Sequence, residues 1–124
     1  KNGFRNIKNI KNIIIISIIL FIGCSMQSNK SDNTNLTEIS LPTMQCGMCV
    51  ANIENSLKNV NGIDNVKINF QKLNVAVRYN SEIINTQEIE QLISKAGYRA
   101  NNIEADLEAY EKLASCCKVP EWGE

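Results

Sequence analysis

Two cysteines stand two residues apart in the run Met44-Gln45-Cys46-Gly47-Met48-Cys49, and a second pair, Cys116-Cys117, lies near the C-terminus. The thiolate form of cysteine is both a nucleophile and a ligand for soft metals. The chain has no His, which removes the usual nitrogen ligand and most acid–base catalysis near neutral pH. Thiol chemistry remains: metal binding or dithiol redox exchange.

The elements around these residues are legible from periodicity. Ile39 and Leu41 alternate with polar neighbours and suit a short strand ending at Pro42. After the cysteine loop, Val50, Ile53, Leu57 and Val60 fall on one face of a helix, and Asn61-Gly62 is its stop signal. Val66, Ile68 and Phe70 alternate, Gln71-Lys72 turns, and Leu73, Val75, Val77 and Tyr79 alternate again, which predicts a hairpin with one buried face. Asn85 with Glu88 three residues on is a capping box for a second helix carrying Ile89, Leu92, Ile93 and Ala96, ended by Gly97. Tyr98 to Ile103 completes the pattern as a last strand. The order βαββαβ is the ferredoxin-like split unit, an α+β fold. Cys49 then falls in the first turn of a helix and Cys46 just before it. Free N–H groups and the positive end of the helix dipole favour anionic sulfur there. Gly47 is expected to ease a tight turn between the two.

With that order in place, residues 37–103 resemble a heavy-metal-associated domain, the fold of copper chaperones, periplasmic mercury-binding proteins and N-terminal modules of metal-pumping ATPases. The motif Met-x-Cys-x-x-Cys is present as Met44, Cys46 and Cys49, and Gly62 and the Gly97-Tyr98 pair also sit where that family has them. The resemblance implies that Cys46 and Cys49 hold the metal, that Met44 packs beneath the loop without ligating, and that Tyr98 lies close to the ion. Tyr98 either shields the site or is a Tyr at the edge of the core. Met48 is open among a gap filler, a solvent-facing partner contact and a weak thioether donor. Two soft sulfurs favour Cu(I). Hg(II) is the runner-up cargo, and Zn(II) ranks lower because Gln45 stands where zinc-selective members carry an acidic residue. The expected partners are a metal-transporting membrane protein or another thiol-rich carrier, with transfer by ligand exchange, so no enzyme is expected. A thioredoxin-like redox protein would need a proline facing the CxxC pair, and neither Pro42 nor Pro120 is placed for it.

Residues 104–124 extend the domain. Leu107, Tyr110, Ala114 and Cys117 are spaced for an amphipathic third helix. A last strand running about 20 Å away from the metal loop, followed by a helix of about 13 residues returning about 20 Å, brings Cys116 and Cys117 back to that loop. They are therefore candidate metal ligands beside Cys46 and Cys49, with a buried pair or a disulfide to the CxxC as the alternative. Trp122 is expected to serve packing.

The N-terminus carries Lys1, Arg5, Lys8 and Lys11, then an apolar run from Ile13 to Ile22 broken only by Ser17, then Gly23-Cys24. At about ten residues the run suits a signal-peptide core better than a membrane span. The order resembles a bacterial lipoprotein signal, with Phe21 where that pattern has Leu. It implies a signal over residues 1–23, lipid on Cys24 and a membrane-anchored domain facing the periplasm or exterior. Residues 24–36 are Ser/Asn-rich and read as a flexible tether with a reach of about 20 Å. Loss of the four leading cations from thirteen Lys/Arg, against thirteen Asp/Glu, leaves a net charge of about −4. With few aromatics besides, that excludes a nucleic-acid binder.

Overall fold

The computed structural model describes residues 33–119. Strand β1, Thr34–Ser40, leads through the cysteine loop to helix α1, Gly47–Leu57; β2, Ile63–Asn69, and β3, Asn74–Asn80, form a hairpin; helix α2 spans Thr86–Lys95. The sheet is antiparallel in the order β1-β3-β2. The helices cover one face of it. Val75, Val77 and Tyr79 of β3 and Ile39 of β1 meet Ile53 and Leu57 of α1 and Ile89 and Ile93 of α2 in one core, and all are buried. This is the open-faced ferredoxin-like arrangement that the periodicity predicts. Alternation works here because a strand at the centre of a one-sided sheet must send every second residue inward.

Each element begins or stops for a local reason. Asn85 and Glu88 form the reciprocal capping box, with Oδ1 of Asn85 accepting from the Glu88 N–H and Oε2 of Glu88 from the Asn85 N–H, both at 2.9 Å. Gly97 follows α2 at φ +95°, a left-handed conformation that glycine adopts without penalty. α1 ends at Leu57, before the Asn-Gly signal, because Asn59 takes φ +64°.

The structure corrects four expectations. β1 begins at Thr34, inside the segment read as tether, because pairing with β3 runs from Thr34 opposite Asn80. Phe70 is exposed: β2 ends at Asn69, and the turn takes Phe70 out of the alternation. No fourth strand forms over residues 98–103. Asn101 takes φ +53°, and Ala100 and Ile103 bridge to each other across the resulting turn. Asn101 meets β1 at Ser40: its N–H donates to Ser40 O at 2.9 Å and its Oδ1 accepts from the Ser40 N–H at 2.8 Å. The expected long third helix is replaced by α3, Leu107–Glu111, and a 3₁₀ turn, Ser115–Cys117. Ala114 adopts an extended conformation, φ −59° and ψ 150°, which breaks the helix between them. Leu107, expected on the apolar face, is consequently 79% exposed.

The extension is nevertheless seated on the domain. A Cβ at Gly97 would stand 3.0 Å from the Tyr110 nitrogen, so the absence of a side chain there lets α3 approach α2. Ser94 donates from Oγ to Glu104 O at 2.7 Å, and the Tyr110 hydroxyl accepts from the Val119 N–H at 2.9 Å. Among the described residues no helix is long and apolar enough to cross a membrane. The apolar run at 13–22, Cys24 and Trp122 lie outside the described residues.

Candidate metal centre

The site is assembled where β1 gives way to α1. Leu41 continues the sheet by donating its N–H to Leu73 O at 2.7 Å, and the chain then turns through Pro42 and Thr43. Met44 follows with 1% of its surface exposed, packed beneath the loop. Cys46 occupies the N-cap of α1 in an extended conformation, φ −151° and ψ 173°, and its side chain makes no cap hydrogen bond. Its carbonyl accepts from the N–H groups of Cys49 and Val50 at 3.0 and 3.3 Å. Cys49, in the first turn, is fully buried, and its sulfur lies 3.4 Å from the Gln45 N–H. Gly47 does not serve as a turn residue. It takes no positive φ, and a Cβ there would meet nothing within 4 Å.

The 3₁₀ turn delivers the second pair to the same place. Cys46 Sγ stands 3.6 Å from Cys49 Sγ, 3.2 Å from Cys116 Sγ and 3.6 Å from Cys117 Sγ, and the last two are 4.0 Å apart. Around an ion bound at a metal–sulfur distance of about 2.3 Å, tetrahedral thiolates stand about 3.8 Å apart. The observed spacings bracket that value. The sulfurs of Cys46, Cys116 and Cys117 all lie within 4.8 Å of one another, and all four thiols are free. Periodicity placed the pair at the correct end of the domain, although the returning path is a short helix and a turn in place of one long helix.

Protons divide unevenly over this cluster. The neighbouring Cys116 thiol and the backbone N–H of Cys49 hold Cys46 down to about 6. Burial, then its contact with Cys49, pushes Cys117 up to about 12. Cys116 is raised, first by its contact with Cys46. One negative charge forms readily at Cys46, and Cys116 and Cys117 beside it resist adding a second. A cation placed among them would remove that repulsion.

Tyr98 is fully buried. It fills the core, and its hydroxyl accepts from Asn52 Nδ2 at 3.0 Å while facing Cys117 and Cys49. Burial raises its pKa, so the phenol stays neutral. Asn52 is the residue that sequence reasoning missed. It lies on α1 one turn after Cys49, and only the position of Tyr98 reveals its purpose. Lys118 pairs with Glu111 at 3.1 Å and lies 6.0 Å from the Tyr110 ring centroid. Met48 is 54% exposed, with its sulfur 3.7 Å from Cys116 Sγ.

Residues 38–99 match the model of the heavy-metal-associated domain. The copper chaperone CopZ of Enterococcus hirae is 33% identical over 66 residues, which span 53% of this chain and 96% of the chaperone. The copper-exporting P-type ATPase of Bacillus subtilis is 30% identical over 80 residues, 64% of this chain, and the match spans only 10% of the ATPase. Among solved structures, oxidized MerP from Ralstonia metallidurans CH34 is similar with a TM-score of 0.53 at 22% identity, over 55% of this chain and 94% of that one. At that identity the likeness concerns the fold.

Proposed function

The chain belongs to the heavy-metal-associated domain family, and from that premise we propose that it is a carrier of a soft metal ion, Cu(I) first, which it captures through Cys46 and Cys49 and encloses with Cys116 and Cys117. The observation that carries this reading is the convergence of two distant cysteine pairs on Cys46, whose sulfur stands 3.2 to 3.6 Å from the other three and forms with Cys116 and Cys117 a group within 4.8 Å that does not include Cys49. Sulfur ligands without nitrogen or carboxylate favour a soft ion. The name of the copper chaperone relative supports copper over the alternative cargo, Hg(II). Zn(II) also accepts four thiolates, so selectivity is decided by measurement.

The ion is cargo, and the protein a carrier rather than an enzyme. Delivery proceeds by exchange of thiolates between donor and acceptor. The metal stays bonded to sulfur throughout, and each incoming thiolate replaces an outgoing one. The similarity to a module of a copper-exporting ATPase supports a metal-transporting membrane protein as the partner. The N-terminal pattern supports a lipid on Cys24 and a place in the bacterial cell envelope, with the domain facing the periplasm or exterior. Titrating the reduced protein with Cu(I), Hg(II) and Zn(II) against competing chelators tests the reading. Retention of one Cu(I) per chain against a strong chelator is expected. Negligible retention of any soft ion, with a readily exchanged Cys46–Cys49 disulfide instead, would assign dithiol redox exchange.

A further inference from the structure

We infer that Met48 is a metal ligand of this site, a thioether that joins Cys116 at the solvent-facing end of the thiol cluster and fits it to a monovalent soft ion; the inference rests on the metal-carrier reading above. Met48 lies in the first turn of α1, two residues after Cys46. Met44, the other methionine among the described residues, is 1% exposed and fills the core, whereas Met48 is 54% exposed. Its Sδ nevertheless stands 3.7 Å from Cys116 Sγ, which stands 3.2 Å from Cys46 Sγ. The five sulfurs therefore grade from surface to interior. Met48 and Cys116 are exposed, Cys46 is half-buried, and Cys49 and Cys117 are fully buried. A thiol is a weak donor and a thioether a weak acceptor, so their hydrogen bond alone gives little reason for a long apolar side chain to stay in water beside a thiol.

The chemistry of the thioether accounts for the placement. It is soft and polarizable but neutral, so it adds a donor without adding to the repulsion among thiolates. It needs no deprotonation to ligate. Thioether sulfur suits Cu(I), whereas zinc sites are built from thiolate, imidazole and carboxylate. One Cu(I) ion does not hold all five sulfurs at once, so Met48 takes the place of one thiol at the outer end of the site and stays bonded to the ion in the loaded protein.

The test is selenium K-edge X-ray absorption on selenomethionine-labelled protein carrying one equivalent of Cu(I). A selenium–copper vector at bonding distance is expected in the unmutated chain and is lost in Met48→Leu, a substitution at an exposed position. The same variant should lose Cu(I) affinity in chelator competition while its Zn(II) affinity stays unchanged. Copper-loaded protein without a selenium–copper vector, or a vector that persists in Met48→Leu, overturns the inference and leaves the thiolate carrier intact. Failure of the unmutated protein to retain Cu(I) overturns the carrier reading and this inference with it.

Discussion

Cys46 is the residue on which the site turns, since the other three thiols are within 3.2 to 3.6 Å of its sulfur. Its chemical character was legible from the sequence, because the CxxC spacing at a helix start fixes both the soft ligand set and the favourable electrostatics. The proton inventory was not legible, because it depends on how closely Cys116 and Cys117 pack. With Cys46 held down to about 6, it is ionised at pH 7, while Cys117 at about 12 and the raised Cys116 remain protonated. A metal that takes all of these as thiolates must displace the protons of Cys116 and Cys117, so its apparent affinity rises with pH. Calorimetry of Cu(I) binding at pH 7 in buffers of different ionisation enthalpy should show proton release that falls by about one per ion in the Cys116→Ser, Cys117→Ser double variant, since two tail protons are lost from the count while Cys46, no longer held down by Cys116, brings one of its own. Equal release from the two proteins would remove the tail cysteines from the ligand set.

At the scale of elements, the hairpin, both helices and the capping box of α2 follow from pattern, because each buries one regular face. The two misread elements fail for local reasons that pattern does not report. Asn101 adopts a left-handed φ that a polar residue tolerates, so the last strand folds back on itself. Ala114 turns extended, so the apolar spacing of Leu107, Tyr110, Ala114 and Cys117 belongs to no continuous helix. Gly97 was legible as a helix stop, but its second duty, admitting the backbone of α3, was not. That duty makes it a lever on the site. Gly97→Ala sets a side chain at φ +95° and 3.0 Å from the Tyr110 nitrogen. It should cost at least about 1–2 kcal/mol from the backbone conformation alone, read as a lower urea midpoint. By lifting α3 it should also expose Cys117, raising the rate at which that otherwise buried thiol is alkylated. An unchanged alkylation rate in the folded variant would show that the cysteine turn is held independently of α3.

At the scale of the whole molecule, a small ferredoxin-like domain offers its cysteine loop at one edge, and the extension closes over that loop instead of leaving it open. In the proposed carrier such an arrangement would slow loss of the ion to solvent and would require a partner to displace the tail during transfer. The anchor proposed from the N-terminal pattern would confine this exchange to a membrane surface. Incorporation of labelled fatty acid during growth should be lost in Cys24→Ala, with the protein then released from the membrane fraction. Retention of label in that variant would place the lipid elsewhere.

The account rests on four thiols acting on one ion, and thiol protection measures that directly. In a Cys24→Ser background, which leaves only Cys46, Cys49, Cys116 and Cys117, the reduced protein would be loaded with one equivalent of Cu(I), alkylated briefly, and each cysteine scored by peptide mass spectrometry against the metal-free protein. The account predicts that Cu(I) protects all four, with the largest change at exposed Cys116. Protection confined to Cys46 and Cys49, with Cys116 alkylated as fast as in the metal-free protein, would contradict it.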